Sequence, residues 1–235
     1  MRREKEKRES RMRKGIAWIR ENPHSWFMAY WLFYLSAFFG LELRQGDYYL
    51  IQCPIDNKIP FAEEFVLFYL SWFVLLAGAQ FWSLFKSKRD FLRLVFVMFL
   101  GNTICLGIYW IAPNGITLRP DTVPDNVWGW MVGLLYQADT PTNVCPSIHV
   151  SSSVAIALTG GSSELLKGKK WLKVLLAVWA ILICISTLFI KQHSVVDVFW
   201  GAIISLALYG ILWLLENRTQ ALDFPLKSDI MRLIE

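Results

Sequence analysis

The sequence predicts an all-α polytopic membrane protein with six transmembrane helices and an outer-face active site. Three observations predict it. Apolar runs of bilayer length recur through a chain that is 55% hydrophobic and only 18% charged, a balance that excludes an ordinary soluble globule. The connections between those runs alternate between basic and acid-rich. Two of the three histidines, His149 and His193, stand where a polar loop enters an apolar run, and the alternation brings both to one side.

Residues 1–21 hold nine Lys/Arg and four Glu, which accounts for the whole net charge of +5. This predicts a helical, basic cytoplasmic arm over 1–24, broken at Pro23. Beside a membrane span, such an arm reads as an anchor against anionic lipid rather than a nucleic-acid-binding stripe, so no nucleic-acid partner is expected. The first apolar run has span length and no small-residue cleavage site, so it reads as a retained span, not a signal peptide.

Spans are expected over about 26–43, 65–85, 91–112, 147–166, 171–190 and 194–215, each near the ~20 residues a bilayer requires. Gly160-Gly-Ser-Ser163 dilutes the end of the fourth. Pro113, Pro120 and Pro124 mark a long loop reaching Pro146. Within it, 128–136 is too short to span and reads as an interfacial segment with aromatic anchors. With no internal repeat, 25–217 forms one membrane catalytic domain, followed by a cytoplasmic tail over 218–235. The arm, Lys86/Lys88/Arg89/Arg93, Lys167/Lys169/Lys170/Lys173 and the tail share the cytoplasmic side. The loops 44–64 and 113–146, richer in acid, fall outside with the 190–194 turn.

His193 and Asp197 are four residues apart, so on a helix they share a face. A carboxylate on one imidazole nitrogen orients the ring and leaves the other free to attack. His149, from another span, can protonate a leaving group. Pro146 suits the first turn of a helix, and the free N–H groups there, with Ser147, suit an anion. Arg119, a basic residue in the acid-rich loop 113–146, suits bidentate capture of phosphate oxygens. Lys191 reads as a phosphate ligand or as a lysine snorkelling from a span end. Asn102 reads as an interhelical hydrogen bonder, and His24 is given no role. The sequence has no Cys-x-x-Cys and no His pair at ligand spacing, so neither metal nor cofactor is expected. Cys53 and Cys145 both fall in outer loops where a disulfide could persist, but unpaired packed thiols are the favoured reading.

Arg119-Pro120, Pro146-Ser-Ile-His149 and Ser186-x6-His193-x3-Asp197 resemble the three signature blocks of the type 2 phosphatidic acid phosphatase superfamily, over roughly residues 60–215. The resemblance implies a six-helix core and metal-independent phosphoryl transfer through a phosphohistidine, on a membrane lipid phosphate. His193 would be the nucleophile, Asp197 its partner and His149 the acid, with Arg119, Ser147 and Lys191 on the phosphate. Ala112, Thr187 and Ile148 stand where the family pattern has lysine, arginine and glycine. Two phosphate-binding cations are thereby missing, and Lys191 is the candidate to replace one. The large residue in the second block and the missing arginine are similar to the inositol phosphorylceramide and sphingomyelin synthase branch, whose members transfer the headgroup to an alcohol. The leading expectation is therefore a lipid-phosphate phosphatase. The alternatives are a lipid phosphotransferase and a non-catalytic membrane scaffold or transporter that kept the fold.

Overall fold

The computed structural model describes residues 2–44 and 46–221; most of the tail expected over 218–235 lies outside them. The arm is the helix α1, Arg2–Glu21, and Pro23 stops it by opening a 3₁₀ stretch, Pro23–Ala29. That stretch runs into α2, Tyr30–Glu42. The first expected span is thus only partly α-helical. At ~1.5 Å per α residue and ~2.0 Å per 3₁₀ residue the combined segment still reaches ~34 Å. In its 3₁₀ start His24 is buried, with Nε2 3.4 Å from the Leu84 carbonyl.

Among the described residues four helices are long and apolar enough to cross a membrane: α3 (Val66–Lys86, preceded by a short 3₁₀ turn), α4 (Lys88–Ile111), α7 (Lys170–Phe189) and α8 (Val195–Ala221). They mark an integral membrane protein. Ser87 ends α3 and caps α4, its hydroxyl accepting from Asp90 N, which makes a tight hairpin of the two. The segment expected to be interfacial forms α5, Val127–Ala138, capped by Asn126.

The fourth expected span is shorter than the sequence suggested. α6, Ile148–Gly161, has 14 residues and reaches only ~21 Å, because the chain leaves the helix at Gly161-Ser162. The helix is enclosed by α3, α4, α7 and α8, so its serines face protein instead of lipid. Ser151 and Ser205 join α6 to α8, and Trp72 donates to Ser152 from α3. Gly201 lets α8 pass close to the start of α6: a Cβ there would lie 2.5 Å from the Ser147 carbonyl.

The loop after α4 is held by a two-residue parallel pair, β1 (Tyr49–Leu50) with β2 (Asn114–Gly115), which nothing in the sequence pattern announced. At the opposite end of the bundle Arg93 donates to the Ser162 carbonyl and pairs with Glu216, while Asp90 accepts from Ser163 and Leu165 N.

Candidate functional site

The two histidines meet. The imidazole centroids of His149, one residue into α6, and His193, two residues before α8, are 5.7 Å apart. Chain connections fix them there. Ser147, not Pro146, is the N-cap of α6: its hydroxyl accepts from Val150 N, and its N–H donates to the Asp197 carbonyl. Pro146 sits one residue outside the helix, and its carbonyl accepts from the Tyr109 hydroxyl. Tyr69 and Trp72 of α3 pack on the His149 ring, with centroids 4.5 and 4.4 Å away.

Asp197, wholly buried, holds His193. Its Oδ2 lies 3.3 Å from Nδ1 and accepts the Ser194 N–H at 2.8 Å. A carboxylate only accepts, so Nδ1 carries the proton and Nε2 keeps its lone pair.

The α7–α8 turn behind His193 joins residues the sequence reading named, Thr187 and Lys191, to two it did not single out, Gln192 and Asp56. The Thr187 carbonyl accepts from both Gln192 N and His193 N, which reverses the chain. Lys191 makes this turn at φ 53, a conformation that favours glycine. Its side chain accounts for a lysine there: Nζ donates to the carbonyls of Asp56 and Ile59. Burial pushes the ammonium down from its ordinary value, partly offset by Asp56. Lys191 is therefore committed to the loop 44–64 and is not among the residues lining the site cavity. Asp56 completes the attachment. Its carboxylate accepts from the Ser194 hydroxyl, Val195 N and Cys53 N, capping α8 from a distant loop. Burial works against its charge, but these hydrogen bonds outweigh it and hold the carboxyl below its ordinary range.

Arg119 reaches the site indirectly. It donates to the carbonyls of Tyr136 and Thr140 and to Gln192 Oε1, and lies over the Tyr136 ring at 4.4 Å. Thr187 and Ser186, in the third sequence block, turn their hydroxyls back to Cys184 and Ile183 carbonyls. Asn114 shapes the lead-in to His149, accepting from Val144 N and Cys145 N and donating to the Cys145 carbonyl. Cys53 and Cys145 are free thiols; burial, then the charge of Asp197, pushes Cys145 up to about 12.

His149, Gln192 and His193 line one end of a cavity of about 680 Å³ between α2 and α3. The α3 lining recurs at Tyr69, Trp72, Phe73, Leu76, Ala77, Gln80 and Phe81, one helix face about 18 Å long. From α2 come Trp31, Tyr34 and Phe38 among others, and Trp31 donates to Gln80 across the gap. At the histidine end are two carboxylates. Asp139 accepts from the Tyr69 hydroxyl, and Glu42 accepts from Asn143 and Thr140. Burial, then Glu42, pushes the Asp139 carboxyl up; His193 and Arg119 offset part of that.

No curated protein and no solved structure matches the chain. A family does: the stretches that carry Arg119, His149, His193 and Asp197 fall within residues 90–221, which match the PAP2 superfamily, and the chain belongs to it.

Proposed function

We propose that the protein is a lipid-phosphate phosphatase working through a phosphohistidine, in six spans, with the site on the extracytoplasmic face. The observation that carries this is the pairing of His193, backed by Asp197, with His149 at the polar end of a long aromatic cavity. PAP2 superfamily members are generally phosphatases or phosphotransferases. A cavity that runs ~18 Å along α3, more than half of the ~30 Å hydrocarbon core, suits an acyl or prenyl chain and places its phosphate at the histidines.

His193 Nε2 attacks phosphorus while His149 gives its proton to the departing oxygen. A P–N bond replaces the P–O bond, and the imidazolium charge is balanced by Asp197. His149 then takes a proton from water, whose oxygen displaces His193 and releases phosphate. Ser147 caps the acid's helix, and Lys191 ties the nucleophile's turn to the outer loop. Arg119 adds positive charge behind the site.

A second reading, transfer to an alcohol, has its support in Glu42 and Asp139. Asp139 lines the cavity with the histidines and Glu42 holds the lining residues Thr140 and Asn143; carboxylates there repel phosphate but suit the hydroxyls of an acceptor. Purified protein given a panel of lipid phosphates, with and without added alcohols, tests both. Release of inorganic phosphate supports hydrolysis; phosphate found only on the alcohol supports transfer. If neither forms with any lipid phosphate, both readings fail.

A further inference from the structure

Gln192 sits between Lys191, which anchors the turn, and His193, the proposed nucleophile. It lines the cavity and is 2% exposed. Its backbone N–H is spent on the Thr187 carbonyl and its Oε1 on Arg119. Its Nε2, buried, has no hydrogen-bond partner among the described residues. The amide orientation follows from chemistry. A guanidinium has donors and no acceptor, so the amide atom that meets Arg119 is the oxygen, and the NH₂ is on the other side. Leaving a buried donor unpaired is costly, which points to an acceptor supplied by a ligand of this cavity.

Arg119 stands behind the cavity lining instead of in it: its terminal nitrogens donate to the Tyr136 and Thr140 carbonyls and to Gln192, its face is against Tyr136, and its buried Nε has no partner among the described residues. What it does is fix Gln192 with a charge behind the amide, which strengthens the donor on the other side.

We propose that Gln192 binds the phosphoryl group, donating from Nε2 to a non-bridging oxygen of the phosphorus that His193 attacks, with Arg119 as the positioning residue that holds the amide in its donating orientation. This rests on the phosphoryl-transfer reading and adds to it a neutral ligand one residue from the nucleophile. Charge spreads onto the non-bridging oxygens as the reaction proceeds, so the contact strengthens toward the transition state.

The test uses orthovanadate, a phosphate mimic that binds without turnover, on detergent-purified full-length protein. Its apparent Kd is read from thermal stabilisation in the wild type, Gln192→Ala, Gln192→Glu, Arg119→Lys and the double variant Gln192→Ala/Arg119→Lys. A lost hydrogen bond to a charged group predicts that Gln192→Ala weakens vanadate by about tenfold or more. Gln192→Glu, which keeps a partner for Arg119 and so keeps the fold, weakens it at least as much. Arg119→Lys loses affinity in the wild-type background, and adding it to Gln192→Ala costs nothing further. In turnover of a lipid phosphate, Gln192→Ala and Arg119→Lys both lower kcat with KM little changed.

Vanadate affinity within about twofold of wild type in folded Gln192→Ala and Gln192→Glu overturns the ligand assignment, as does a wild-type protein that binds no vanadate. Additive losses in the double variant overturn the positioning role of Arg119. The phosphoryl-transfer reading fails separately: wild type that binds vanadate through Gln192 but turns over no lipid phosphate contradicts that reading and leaves the anion ligand standing.

Discussion

Asp197 can orient His193 because the backbone presents both to each other before any ligand arrives. Ser194 N and His193 Nδ1 converge on one carboxylate oxygen, and the Asp197 carbonyl takes the N–H of the residue that caps the other histidine's helix. Asp139 is a different kind of residue, half-buried near Glu42, His193, Arg119 and the Tyr69 hydroxyl with its carboxyl pushed up. A carboxyl raised on folding supports the fold while protonated. That support is lost as pH rises from the unfolded value, ~3.9, through the folded one. Asp139→Asn removes this burden. Its melting temperature is expected to exceed that of the wild type at pH 7, with the gain shrinking toward pH ~4. A melting temperature below the wild type at pH 7 would show that the ionised carboxylate is needed for the fold.

Among the elements, α8 and the short α6 decide the geometry. The N-terminus of α8 is capped by Asp56 from 138 residues away, and that loop is also held by Lys191. Asp56→Ala is expected to cost about 1–2 kcal/mol, as lost caps do, and to lower activity because the His193 turn loosens. Chemical denaturation in mixed micelles, alongside turnover, measures both. Unchanged stability would mean that the cap is replaced by water. Gly201 is where α8 meets the cap of α6. Gly201→Ala forces Ser147 away and is expected to cost about 1–3 kcal/mol and most of the activity. A fully active, equally stable Gly201→Ala would show that the two helices are not held at this distance.

The helices were legible because apolar runs and basic stops are local. α3, α4 and α7 begin and end within three residues of the sequence expectation. The pairing of His193 with Asp197 was legible from their spacing, although His193 lies in the turn two residues before α8 and meets Asp197 across the start of that helix, not along one face of it. Asp56 and Gln192 were not. Asp56 reads as one acid among several in a loop until folding brings it to α8. Gln192 reads as a spacer until its amide is seen unpaired. Lys191 was legible as important but not in its role, because its partners are the carbonyls of a distant loop.

For the whole molecule, six helical segments run alternately between the site end and the end carrying α1. α2, α4 and α7 finish near the site, whereas α3, α6 and α8 start there. The proposed topology puts that end outside. In a cysteine-free background that keeps turnover, single cysteines placed in 113–126 are expected to react with a membrane-impermeant maleimide on intact cells. Those in 164–169 are expected to react only after permeabilisation. The reverse pattern would move the site to the cytoplasm. Beneath every scale lies one claim, that His193 carries the phosphoryl group. The most direct measurement is an alkaline quench of purified protein during turnover of a lipid labelled in its phosphate, because a phosphohistidine survives base. The account predicts label on the peptide containing His193. It also predicts no label in His193→Ala, together with a loss of turnover at the upper end of the ~10²–10⁴-fold expected for acid–base residues, or beyond it. His149→Ala is expected to slow both formation and loss of the label. Turnover with no base-stable label at any time, or near wild-type turnover by folded His193→Ala, would contradict it.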